Sequence, residues 1–75
     1  MEKMEWCIEN KITNELAMAS SPLKGNRVII FETEEEAQEM LKLTKDSFRA
    51  KAKICQKIIF GPKVDYKEVK EELKC

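Results

Sequence analysis

Residues 27–43 read RVIIFETEEEAQEMLKL, an apolar β-type run that passes into a capped, acidic helix start with no loop between the two. Val28, Ile29, Ile30 and Phe31 are contiguous and β-branched or aromatic, the composition of a strand covered on both faces. At Thr33 the character changes. Thr33 and Glu36 have the spacing of a capping box, in which the Thr hydroxyl accepts from the Glu36 amide and the Glu36 carboxylate accepts from the Thr33 amide. Glu34, Glu35 and Glu36 add negative charge at the positive end of the helix dipole, worth about 0.3–1 kcal/mol each at low salt. The chain therefore turns sharply from strand into helix here, which sets the fold class as α+β.

Upstream, Met4, Trp6 and Ile8 alternate with Glu5, Cys7 and Glu9, the period of a strand with one buried and one wetter face. Trp6, in phase with Met4 and Ile8, is a core anchor. NKITN (residues 10–14) supplies turn residues, and Leu16 and Met18 alternate with Ala17 and Ala19 in a return strand. The turn lacks the Asn-Gly or Asp-Gly of a tight hairpin, so a longer connection is expected. SSPLKGN (residues 20–26) is the obvious surface loop. The chain holds only two glycines, Gly25 and Gly61, so Lys24-Gly25-Asn26 is a connection and not a phosphate cradle.

Downstream, Ala37, Met40, Leu41, Thr44 and Phe48 make one apolar stripe at helical spacing, and Glu35, Gln38, Glu39, Lys42, Lys45 and Asp46 make the opposite face. Leu43 falls off the stripe. From Ala50 the period returns to two: Ala50, Ala52, Ile54, Ile58 and Phe60 point one way, Lys51, Lys53, Cys55 and Lys57 the other. Gly61-Pro62 ends that strand. Asp65 and Glu68 repeat the capping spacing and open a short helix with Tyr66, Val69, Leu73 and the stem of Lys70 on its apolar side. The element order is β-β-β-α-β-α in a single small α+β domain spanning residues 1–75. It predicts a three- to four-stranded mixed or antiparallel sheet, one main helix packed on one face and a short C-terminal helix. A right-handed crossover would set the fourth strand parallel to the third and to the first, and beside the first.

The 75 residues carry 14 basic and 14 acidic side chains, so no global field recruits nucleic acid or an anionic membrane. The charge is uneven: nine acids against four bases over residues 1–39, one against seven over 40–63, and four against three over 64–75. There is no histidine, and the three cysteines, Cys7, Cys55 and Cys75, form no CxxC pair, so no metal or cofactor is expected. Cys7 and Cys55 read as small strand residues and Cys75 as a loose terminal thiol. The opening MEKMEWCIEN is too charged for a signal h-region, and no apolar stretch approaches the roughly 18 residues of a membrane span, so a reducing cytoplasm is expected and no membrane partner.

Without histidine there is no ordinary Ser-His or Cys-His pair, and the carboxylates of residues 34–36 already serve the helix start, so no catalytic residue is expected. The remaining class is a non-enzymatic protein-binding or regulatory module, using an open sheet edge or the acidic helix face of Glu35, Glu39 and Lys42. Its small size matches accessory proteins of phages and mobile elements that inhibit or modulate a host protein. The alternative is nucleic-acid binding through Arg49, Lys51, Lys53 and Lys57, a basic strand face that also reads as protection against edge pairing. A second alternative is a homodimer joined through the edge strand or the terminal helix.

Overall fold

Thr33 ends the strand run and caps the helix as the sequence predicts: its extended backbone (φ −136°, ψ 161°) carries a hydroxyl that accepts from the Glu36 amide at 3.3 Å. The return half of the box differs, because Glu36 Oε1 accepts from the Glu32 amide at 3.1 Å and not from Thr33. The computed structural model describes residues 3–73, with side chains over residues 3–71. The side chain of Leu73 and all of Cys75 fall outside the described residues.

The elements are β1 (Met4–Asn10), β2 (Met18–Ser21), β3 (Gly25–Ile30), α1 (Glu34–Lys42), α2 (Asp46–Lys51), β4 (Ala52–Ile58), β5 (Lys63–Asp65) and α3 (Tyr66–Leu73). The fold is α+β. β4 pairs with β1, while β3 lies between β2 and β5. Two isolated bridges, Trp6 to Phe31 and Glu9 to Leu16, join these groups along the second edge of β1. There Phe31 N donates to Trp6 O at 3.0 Å and Ala17 N to Ile8 O at 2.8 Å.

Three expectations are corrected. The fourth strand does lie beside the first, but antiparallel to it, with Cys7 opposite Cys55 and Glu9 opposite Lys53. The strand parallel to β3 is β5, where Ile29 stands opposite Val64; its three residues after Gly61-Pro62 are too few to show a period. The single long helix is two. α1 ends at Leu43, Thr44 Oγ1 donates to Leu41 O at 2.7 Å, and Lys45 is extended (φ −70°, ψ 151°) before α2 starts. Phe48 therefore sits on α2, outside the α1 stripe, and Ala50 and Lys51 are helical. This change of direction sends the chain to the far side of β1, away from β3.

The core follows one side of the sheet. Ile8, Ile29, Phe31, Ala37, Ala52, Val64 and Tyr66 are buried together, and Trp6, Met40, Leu41, Ile54 and Val69 pack against them. Phe31 and Tyr66 contribute a tilted ring pair at 5.0 Å between centroids. Trp6 anchors this core half-buried, whereas Met4, in phase with it, is exposed. The four-residue apolar run is not covered equally on its two faces: Ile29 and Phe31 are buried, Val28 and Ile30 only partly. At the end of β4 the expected phase breaks, since Ile59 is buried while Ile58 and Phe60 are exposed. The strand stops at Ile58, and beyond it the two-residue alternation no longer governs.

β2 and β3 form a hairpin through Pro22, Leu23 and Lys24, shorter than the seven-residue loop expected, with Ser20, Ser21, Gly25 and Asn26 inside the ladder. Gly25 closes it at φ 73°, a left-handed conformation that favours glycine. The connection after β1 is a turn in which Asn10 Oδ1 accepts from the amides of Ile12 (2.8 Å) and Thr13 (3.1 Å), and Asn14 takes φ 64°. At the other end, Asp65 Oδ1 accepts from the Lys67 amide at 2.8 Å and caps α3 as expected.

Candidate functional site

The side of β1 and β4 away from the core is polar, and its centre is Glu9. Because residues 6, 8 and 10 of β1 bond to Phe31, Ala17 and Glu15, residues 5, 7 and 9 bond toward β4, and the paired rows Glu5–Lys57, Cys7–Cys55 and Glu9–Lys53 share one face. Glu9 is buried, 3% exposed, which the alternating pattern does not foresee. Two lysines explain it. Lys53 Nζ lies 3.1 Å from Glu9 Oε1, and Lys57 donates to Oε2. The Lys57 hydrogen bond, then that of Lys53, hold the Glu9 carboxyl below its ordinary range, and the same bond to Glu9 raises Lys57. Beside them Lys63 of β5 pairs with Glu5 at 3.1 Å.

The basic stripe expected for a nucleic-acid face is therefore largely engaged from within. Lys53 and Lys57 share Glu9, and Arg49 pairs with Asp46 one helical turn back. Lys51 is exposed at the end of α2 and does not continue the strand row. Three lysines, Lys53, Lys57 and Lys63, against the two carboxylates Glu5 and Glu9 leave this flank one positive charge in excess.

The acidic helix face is likewise divided. Glu35 and Lys42 are exposed on α1, but Glu39 turns to α3 and pairs with Lys70 at 3.3 Å. Lys70 also lies over the Tyr66 ring, 5.3 Å from its centroid. Glu39 thus ties α1 to α3, while Glu35, Glu39 and Lys42 all remain exposed on α1. No sequence period links residues 31 apart, so nothing in the pattern of α1 announces the Glu39–Lys70 pair.

The remaining structural feature with chemistry is the outer edge of β4. Since residues 53, 55 and 57 bond to β1, the backbone N–H and C=O of Ile54, Gln56 and Ile58 point away from it, and β4 pairs with no second strand among the described residues. The Ala52 amide is already taken, donating to Arg49 O. Gln56, read from the sequence as an interruption of the apolar side, is exposed and needs no internal partner. No group of three or more His, Cys, Asp or Glu side chains among the described residues is arranged to hold a metal ion. No described helix is long and apolar enough to cross a membrane.

Comparison with protein-family models, with curated proteins and with solved structures returned no match.

Proposed function

We propose that this protein is a non-enzymatic protein-binding module whose β4 edge accepts an extended, acidic segment of a partner as an added strand. The observation that carries the reading is the outward row of backbone groups at Ile54, Gln56 and Ile58, flanked on one face by Lys53 and Lys57. Main-chain hydrogen bonds supply affinity in such an addition, and alternating side chains supply selectivity. A partner strand would place acidic residues beside Lys53 and Lys57, four positions apart, and apolar residues beside Ile54 and Ile58 on the other face. β1 already shows that pattern on the inner edge of β4, with Glu5 and Glu9 on one face and Trp6 and Ile8 on the other.

Edge strands commonly carry lysines that discourage pairing. Here Lys53 and Lys57 are drawn across to Glu9, which weakens that guard. A two-fold pairing of this edge centred on Cys55 would set Lys53 opposite Lys57 of the second copy, a like-charge contact that disfavours self-association in that register. Nucleic-acid binding is the less supported reading, because no aromatic side chain interleaves the lysines of residues 51–57 to stack bases.

The test is a fluorescence-anisotropy titration with a labelled peptide holding two glutamates four residues apart and Val or Ile at the alternate positions. Saturable binding is expected, weakened at least about tenfold when both glutamates become lysine. Equal affinity for the two peptides would remove the reading. Steeply salt-dependent binding to generic DNA or RNA, absent for the peptide, would favour the nucleic-acid reading instead.

A further inference from the structure

The polar face of β1 and β4 holds a second pair that the binding proposal does not use. Cys7 and Cys55 are directly opposed in the ladder, 48 residues apart in sequence, with their sulfurs 3.7 Å apart. Cys7 is fully buried and Cys55 is half-buried. In an antiparallel ladder a pair that exchanges both backbone hydrogen bonds has its Cα atoms about 5.5 Å apart, inside the roughly 4.4–6.8 Å range that a disulfide spans. Closure to a bond of about 2.05 Å therefore asks for side-chain rotation and not for strand separation. Lys57, reaching from its own row to Glu9, passes the cysteine row, so cationic charge lies beside the sulfurs.

We propose that Cys7 and Cys55 are a redox modification site, a dithiol that a low-molecular-weight anionic disulfide such as oxidised glutathione converts to a cross-strand disulfide locking β1 to β4. Cys55 is the entry point because it alone of the two is accessible. Its thiolate attacks one sulfur of oxidised glutathione, forming a mixed disulfide and releasing one glutathione thiolate. Cys7 then gives its proton to solvent, and its thiolate attacks the Cys55 sulfur and displaces the second glutathione. Two protein thiols are oxidised to one disulfide, and one glutathione disulfide is reduced to two thiols. The closing step is the slow one, since burial first and Cys55 second push the Cys7 thiol up to about 12. It accelerates with rising pH.

The experiment uses the full chain carrying Cys75→Ser, which leaves these two thiols alone. The folded protein is treated with oxidised glutathione, alkylated and weighed intact. The expected product has lost two hydrogens, about 2 Da, takes up no alkylating agent, and yields on digestion a peptide pair joined through Cys7 and Cys55. Its melting temperature rises by something on the order of 10 °C and falls back on reduction. Cys7→Ala in the same background is expected to stop at a single glutathione adduct on Cys55. A lasting adduct on Cys55 when Cys7 is present, a disulfide between two chains, or closure only in urea would each overturn the proposal.

Discussion

Lys57 donates to Glu9 across the β1–β4 ladder although its direct neighbour in register is Glu5, which pairs instead with Lys63 of β5. Lys53, directly opposite Glu9, holds the other carboxylate oxygen at 3.1 Å. One buried carboxylate thus ties two positions of β4 to β1, and a shift of register would leave it without its partners. The arrangement makes Glu9 an organiser of the strand whose other edge is free.

The pH dependence of stability follows from the same contacts. The Glu9 carboxyl is lowered in the folded protein, so its contribution is present above the ordinary value of 4.5 and is lost as pH falls through the lower, folded value. Lys57 is raised, so its contribution holds below the ordinary value of 10.5 and is lost as pH rises through the folded value. Glu9→Gln is expected to be less stable than the parent at pH 7, with the difference shrinking below pH 4.5, in urea melts followed across pH. A difference that stays constant down to pH 2 contradicts the assignment.

Ile8 is fully buried at the centre of the core, between the sheet and α1. Ile8→Ala should cost about 2–5 kcal/mol and Ile8→Val about 1 kcal/mol. A domain of this size holds only about 3–5 kcal/mol from its core, so the alanine variant should be largely unfolded at 25 °C and the valine variant folded. Circular dichroism with urea titration checks both.

Thr33→Ala removes the hydroxyl that accepts the Glu36 amide and should destabilise by about 1 kcal/mol. Thr33→Ser should retain most of the difference. Equal melting midpoints for the parent and the alanine variant would show that the cap contributes nothing.

Tyr66 is 3% exposed, and its hydroxyl finds no hydrogen-bond partner among the described residues. Tyr66→Phe is therefore expected to be neutral or stabilising by up to about 1 kcal/mol, since no bond is lost and a buried polar group is removed. Burial first, then the Glu39 charge, raise the Tyr66 ionisation above its ordinary 10.0. The chain has one tyrosine, so its absorbance reports this group alone. Phenolate should form at higher pH in the folded protein than in urea, and stability should decline as pH rises through the folded value.

Local chemistry was legible in the sequence where a few neighbouring residues decide the outcome. The turn from Phe31 into α1, the Thr33 and Asp65 caps, the core phase of Ile8 and Ile54, and the strands β1 and β4 themselves follow from local patterns, whereas the antiparallel pairing of those two strands does not. The break at Leu43–Lys45 was not legible, because Phe48 continues the helical stripe even though Lys45 is extended. β5 is too short for a period to show. Glu9 was misread as a solvated residue because its burial depends on two lysines more than 40 positions away. The same is true of Glu39, whose partner Lys70 belongs to another helix. In both cases charge identity was visible from the sequence, and pairing was set by topology.

Gln56→Pro offers a variant that separates folding from strand addition. Its amide points outward, so proline there removes no bond to β1, and proline is tolerated on an edge strand with its N–H side facing solvent. The variant should melt within about 1 kcal/mol of the parent. It should lose affinity for the glutamate peptide by at least about tenfold, measured by anisotropy. Cys55→Pro, which removes an inner bond, should instead lose the fold.

Residue-resolved amide hydrogen exchange, with and without the glutamate peptide, tests the edge most directly. In the free protein the Ile54, Gln56 and Ile58 amides should exchange fast while those of Lys53, Cys55 and Lys57 are protected. With saturating peptide the first three should slow together, and the amides of α1 around Glu35 and Glu39 should not change. Peptide binding that leaves Ile54, Gln56 and Ile58 exchanging as before would contradict strand addition at β4.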